Sequence, residues 1–423
     1  MAQKDRGWDK TRQWQFDELT QLLTDVWSKS KLYRGKFEAT GIELGDIRSW
    51  DDFSTGVPFI DKAMVIEDQS LNEPFGNLVT IDQKDIKYIF CYAGPELVVY
   101  DDKDWLEGLK ITAQYAPYRE VGKDDVVNVT MSFHWVDAGF IQYATYMSRG
   151  AAVIPAGSGD SEKQIEIMRL TKATVISGFP TFIDRLAEKS KEMGVNPRTD
   201  LSIRLAIVAG EMWSAAKRRE IEDTFGMETR QIYGGAEVGG IAYECSCKRG
   251  MHIDPYIILE ILDPDTGRPV PPGHSGEVVV TSLGKRCQPM IRFRTYDITS
   301  GLDTSPCSCG INSPRIGNII GRTGNILRVR GLWVVPHEIE KVILRYPQLG
   351  RFQAIVDRPQ TMDVLTIRIE QRQPCEVPAL TTRLMQELKE QLRLTCHIEI
   401  VPPDFIPGNA NVMVDKRSID SSN

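Results

Sequence analysis

The tightest constraint on the fold is an alternation of apolar runs and helical patterns between Val127 and Phe225. Val127–Met131, Ala152–Pro155, Ala173–Ser177 and Ile203–Ala209 read as short strands. Between and after them, Gly139–Ser148, Glu162–Leu170, Thr181–Met193 and Ser214–Phe225 read as helices. The strands are apolar almost without interruption, so both of their faces need cover. A strand–helix–strand step also brings successive strands in parallel. Together these imply a parallel sheet with helices packed on it.

The flanking regions have a different texture. Up to about Arg48 the chain reads as helical, with Trp14, Phe16, Leu19, Leu22, Leu23 and Trp27 at helical spacing. After Tyr233 the strands become antiparallel in character: Tyr256–Leu262 and Gly276–Ser282, joined by the turn-rich DPDTGRPVPPGHSG. This predicts a β subdomain over about 234–315. From Gly321 a third unit of strands and helices follows, with helices expected at Pro336–Leu344 and Ala379–Leu392 and strands at Ile326–Val329, Leu332–Val335, Phe352–Val356, Val364–Glu370 and His397–Val401. A chain of 423 residues exceeds one ordinary core. The expected division is an α/β domain over 1–320 and an α+β domain over 321–423.

The net charge of −7 argues against a broad nucleic-acid surface. No apolar run is long enough to span a bilayer, and the polar start MAQKDRGWDKTRQWQFDEL does not read as a signal peptide. The expectation is a cytoplasmic protein that acts on neither nucleic acid nor membrane. Eight cysteines are present, and four form C-x-C pairs: Cys245 with Cys247, and Cys307 with Cys309. Four thiolates on two tight loops suit a closed, tetrahedral structural zinc site. His252 is near enough in sequence to replace one of them, and four buried free thiols are the plain alternative.

Several segments resemble the phenylacetate–CoA ligase and coenzyme F390 synthetase branch of the adenylate-forming superfamily. QIYGGAEVGG, Gln231 to Gly240, is similar to that family's Tyr-Gly-x-x-Glu. The resemblance makes Glu237 the magnesium ligand and puts Tyr233 and Gly234 beside the nucleotide. IVAGEMWSAA places Gly210 and Glu211 at the adenine, and RFRTYDITSG makes Asp297 the acceptor for the ribose hydroxyls. GRTGNILRVRGLWVVPHEIE resembles the hinge, with Arg322 at the ribose. FHWVDAGF resembles a segment lining the acyl pocket, through Phe133, His134, Trp135 and Phe140; the start of a core helix is the other reading. The implied fold is adenylate-forming: a large N-terminal α/β domain, a β subdomain and a small mobile C-terminal α+β domain. The implied activity is ligation of a carboxylic acid, an aromatic one by the pocket, to CoA through an acyl-adenylate, using ATP and Mg²⁺. The family also implies a homodimer, for which the aromatic N-terminal helix is the expected surface.

Three places depart from the family pattern. The phosphate loop is reduced to Tyr92, Ala93 and Gly94 before Pro95, without hydroxyl-bearing Ser or Thr and with Asp101 and Asp102 nearby. Gly324 and Asn325 stand at the hinge in place of two aspartates, and Asn409 stands where the family has a catalytic lysine. Asn409 cannot supply a cation to the transition state, although Lys416 and Arg417 follow closely. The alternative to a working ligase is a relative that only binds nucleotide or acyl-CoA, or runs only the thioester half-reaction.

Overall fold

The computed structural model describes residues 7–92, 96–323, 327–330, 332–359, 362–374, 376–408 and 410–417. The chain divides into two compact units: one holds the chain to Thr295 together with Thr299–Ile319, and the other holds Tyr296–Ile298 and everything from Ile320 onward.

The first unit is built on a nine-stranded sheet. Its parallel part runs Glu228–Gly235, Leu205–Ala209, Val175–Gly178, Val126–Val129, Ala152–Pro155 in spatial order. The helices Ala138–Ser148, Ser161–Thr171, Pro180–Glu192 and Ala215–Phe225 connect or follow these strands, as the alternation requires. Val175, Ile176, Ser177 and Gly178 are all buried, which is why this strand carries no polar face. From Val126–Val129 the chain steps outward to Ala152–Pro155 and returns on the other side to Val175–Gly178. That reversal is a topological switch point, and in open α/β sheets a crevice forms there beyond the strands' C-terminal ends.

The stretch expected as a β subdomain is instead shared between two sheets. Gly239–Glu244 turns back antiparallel on Glu228–Gly235, and Met251–Ile253, Arg315–Ile316 and Leu302–Asp303 continue the large sheet from there. Ile257–Leu262, Gly276–Ser282 and Phe293–Thr299 form a second sheet, which Ile60–Asp61 joins at its edge. The Gly-rich turn permits the first arrangement. Added at Gly234, a Cβ would come 2.5 Å from the Gly239 carbonyl oxygen, so the reversal closes only on glycine.

The N-terminal helix Trp8–Lys29 packs Leu19, Leu22, Leu23 and Val26 into the core at helical spacing. Its aromatics are spent within the same unit: Trp14 meets Tyr256 edge-on at 5.0 Å, Phe16 meets Trp50 at 5.2 Å, and Trp27 meets Phe37 at 5.7 Å. These aromatics, expected as a dimer surface, are partly buried against the protein's own core.

In the second unit, His397–Val401, Val364–Gln371, Leu349–Asp357 and Met413–Asp415 form a four-stranded sheet in that order. The helices Pro336–Ile343 and Val377–Leu392 belong to the same core. In the latter, Leu380, Leu384, Leu388 and Leu392 are all buried, one face repeating every four residues. Both helices begin with proline in the first turn, where its missing N–H leaves no bond unmade.

Candidate active site

Gly210 follows the strand Leu205–Ala209 in a left-handed conformation, φ 79°, and a Cβ there would lie 2.5 Å from the Phe179 ring. Backbone can thus approach a ligand where a side chain could not. Glu211, expected at the adenine, uses both carboxylate oxygens otherwise. Its Oε2 accepts the Thr181 N–H at 3.0 Å and its Oε1 accepts the Thr181 hydroxyl at 2.7 Å. These bonds cap the helix Pro180–Glu192, which has no side-chain cap of its own. Tyr233 lies within the hydrophobic core and its hydroxyl faces Thr295 Oγ1 at 3.4 Å, so its ring is largely covered.

Glu237 sits on the turn between Glu228–Gly235 and Gly239–Glu244, with only 10 % of its side chain exposed. Lys62 Nζ donates to Glu237 Oε1 at 3.1 Å and to Glu96 Oε2 at 2.7 Å. Glu96 is fully buried, and its Oε1 has no hydrogen-bond partner. Burial, followed by the neighbouring Glu237 charge, pushes the Glu96 carboxyl up to about 7. Neither Lys62 nor Glu96 was singled out in the sequence. Each is one charged residue in an unremarkable segment, and only the tertiary fold sets them beside Glu237.

A cavity of about 330 Å³ opens at the switch point. Met131 and Phe179, just beyond two of the parallel strands, line it, and so do Trp105, Ile111, Ile141, Tyr256 and the turn Gly234–Gly240 apart from Glu237. The expected acyl-pocket residues Phe133, His134, Trp135 and Phe140 are not among its walls. The helix begins at Ala138, so the side facing the cavity carries Ala138 and Ile141, while Phe140 lies off that face and is partly exposed. Trp135 is 79 % exposed. The polar patch of the cavity was also unforeseen. Tyr92 and Tyr100 both donate to the Asp137 carboxylate, the latter at 2.8 Å, and Lys285 stands beside them. Burial raises the Asp137 carboxyl and lowers the Lys285 ammonium from their usual ranges.

Asp101, which the sequence set against phosphate binding, caps the helix Asp102–Thr112 by accepting the Asp104 N–H at 2.7 Å. In the second unit, Arg322 Nε donates to Asp297 Oδ1 at 2.7 Å, so the two expected ribose residues meet on adjacent strands. Tyr296, immediately before Asp297, has φ 61°, a conformation that costs a non-glycine residue about 1 kcal/mol or more. Arg417 is engaged by Asp415 and, at 2.9 Å, by Asp363. Asn409, Gly324, Asn325 and the loop residues Ala93, Gly94 and Pro95 lie outside the described residues.

The cysteine constellation takes a different form from four thiolates. Ligand atoms of Cys245, His252, Cys307 and Cys309 all lie within 4.8 Å of one another. Cys245 and Cys307 sulfurs are 3.8 Å apart, and His252 Nε2 is 3.3 Å from Cys309 Sγ. Cys247 instead faces Ser308 Oγ at 3.2 Å. The register explains the exchange. Cys245 directly follows the strand Gly239–Glu244, and His252 lies on the antiparallel neighbour opposite Tyr243, whereas Cys247 sits on the intervening turn. His252 Nδ1 lies 3.0 Å from the Ser313 carbonyl oxygen, an arrangement that leaves Nε2 free to accept a metal. Burial lowers the pKa of this imidazole. Three thiols and one imidazole fit tetrahedral zinc.

The description "AMP-binding enzyme" matches residues 97–284, and "AMP-binding enzyme C-terminal domain" matches residues 331–420. A phenylacetate–coenzyme A ligase of Pseudomonas putida is 31 % identical over 379 residues, covering 87 % of this chain and 83 % of that one. One from Thermus thermophilus is 27 % identical over 94 % of both. Among solved structures, a 2-hydroxyisobutyryl-CoA ligase in an open conformation superposes with a TM-score of 0.84 at 23 % identity, over 95 % of this chain and 90 % of that one, a likeness of fold. By domain content, and by identity sustained along most of both chains, this protein belongs to the phenylacetate–CoA ligase family of AMP-binding, adenylate-forming enzymes.

Proposed function

We propose that this AMP-forming acid–CoA ligase takes an aromatic carboxylic acid. The acid's carboxylate attacks the α-phosphate of ATP, pyrophosphate leaves, and the CoA thiolate then displaces AMP from the acyl-adenylate. The observation that carries this reading is the cavity of about 330 Å³, walled by Trp105, Ile111, Met131 and Phe179 and reaching the Gly234–Gly240 turn. An apolar chamber with a few polar groups at a switch point is the expected form of a small-molecule site. In this reading Gly210 and Gly234 let backbone approach the nucleotide, Glu237 holds Mg²⁺ on the phosphates, and Asp297 with Arg322 serves the ribose. Zinc would be held by Cys245, His252, Cys307 and Cys309 and would tie two loops of the β region together; with no open position it supplies stability rather than chemistry.

No helix among the described residues is long and apolar enough to cross a membrane. Seven described cysteines are free thiols, which suits the reducing cytoplasm. A homodimer is the family's expected assembly, and the aromatics of the N-terminal helix, partly buried within the protein, offer it only part of their surface.

The test is pyrophosphate release from protein, ATP, Mg²⁺ and a panel of aromatic acids, with and without CoA. Release that depends on the acid supports the ligase. AMP binding without any release would support the degenerate relative suggested by the loop at Tyr92–Pro95 and by Asn409.

A further inference from the structure

Lys285 is an unusual lysine. It is 5 % exposed, and lysine is almost never buried to this degree without an opposite charge. Its Nζ has two hydrogen-bond contacts, both long and both to neutral acceptors: the Glu237 carbonyl oxygen and Gln288 Oε1, each at 3.3 Å. No carboxylate among the described residues lies within 4.0 Å of it. The ammonium rests over the Tyr100 ring, 4.5 Å from its centroid. A cation–π contact of this kind recovers only part of the lost hydration. The acids of the cavity that act on it from farther off are engaged elsewhere: Asp137 accepts the hydroxyls of Tyr92 and Tyr100, and Asp104 accepts the backbone N–H groups of Arg286 and Cys287.

This side chain lines the cavity, as does the glycine turn, and its contact with the Glu237 carbonyl puts the charge at the end where that turn lies. The other walls are mostly apolar. A carboxylic acid entering with its apolar part against Trp105, Ile111 and Met131 would bring its charged end to this ammonium. We infer that Lys285 is the anchor for the substrate's carboxylate: one oxygen accepts from Nζ, and the other remains free to attack the nucleotide. The inference rests on the proposed reading of the cavity as the acid site. It adds that the site selects anionic over neutral ligands of the same shape. The anchor breaks no bond and moves no proton. It orients the nucleophile and supplies the counter-charge that the buried lysine lacks.

The experiment compares wild type with Lys285→Met and Lys285→Gln, using the acid that best drives pyrophosphate release and its neutral primary amide as inhibitor. Replacing a buried cation with an apolar chain of similar volume is expected to leave folding intact, and urea unfolding checks both variants. The expected result is a KM for the acid raised roughly ten- to hundredfold, the worth of a hydrogen bond to a charged group. The KM for ATP and the inhibition constant of the amide should stay unchanged. Equal weakening of acid and amide, or an unmoved KM for the acid, overturns the inference while leaving the ligase reading in place. A wild-type protein that releases pyrophosphate with no acid overturns both.

Discussion

Substituting Gly234 by alanine tests whether the turn carrying Glu237 is as tightly determined as its geometry indicates. The added Cβ would sit 2.5 Å from the Gly239 carbonyl oxygen and 3.1 Å from Gly240 Cα. Both neighbours are backbone, so no rotamer change relieves the contact. The turn between the two strands has to open by at least about half an ångström, the gap to the shortest tolerable carbon–oxygen approach. Overpacking of this kind costs about 1–3 kcal/mol of stability. The displacement also moves Glu237, which follows closely after the bulge between Tyr233 and Gly234. A misplacement of about 1 Å costs roughly a hundredfold in rate, so Gly234→Ala should lower acid-dependent pyrophosphate release by about ten- to a hundredfold. Gly35, exposed within the helix Lys31–Thr40, has nothing within 4 Å of its Cβ position. Gly35→Ala should therefore stabilise the protein by about 0.5–1 kcal/mol and leave turnover unchanged. Stopped-flow pyrophosphate detection and urea titration measure the two effects. Full activity in Gly234→Ala would show that the turn yields, and the argument from its closeness would be wrong.

Metal analysis of the purified protein should find about one zinc per chain; His252→Ala should lose it and Cys247→Ser should keep it, whereas the opposite pattern would return the site to four thiolates. Arg218 binds the Glu244 carboxylate through both terminal nitrogens, at 2.8 and 2.9 Å, and both side chains are largely buried. Arg218→Met leaves that carboxylate with the Gln231 N–H alone of its protein donors. The expected loss is about 3–5 kcal/mol, read as a lowered urea midpoint at constant slope. A loss below about 1 kcal/mol would mean that water or a shifted side chain replaces the arginine.

The parallel sheet, its covering helices and the family were legible in the residues because they depend on local pattern. Apolar runs such as Val175–Gly178 have no polar face to show to water, and QIYGGAEVGG needs its glycines where the chain reverses tightly on itself. The two proline-started helices of the second unit are likewise written into their own segments. The walls of the cavity were not legible, since only packing decides which face of the helix Ala138–Ser148 meets the cavity, and it presents Ala138 and Ile141 rather than Phe140. Nor was the membership of the candidate metal site, because strand register, not sequence distance, brings His252 among the cysteines and leaves Cys247 on the turn. Lys62, Glu96 and Glu237 lie far apart in the chain, and their association is a product of packing. Lys285 follows the same rule: a lysine in sequence carries no mark of burial, and only the tertiary structure strips its water and leaves it short of an anion.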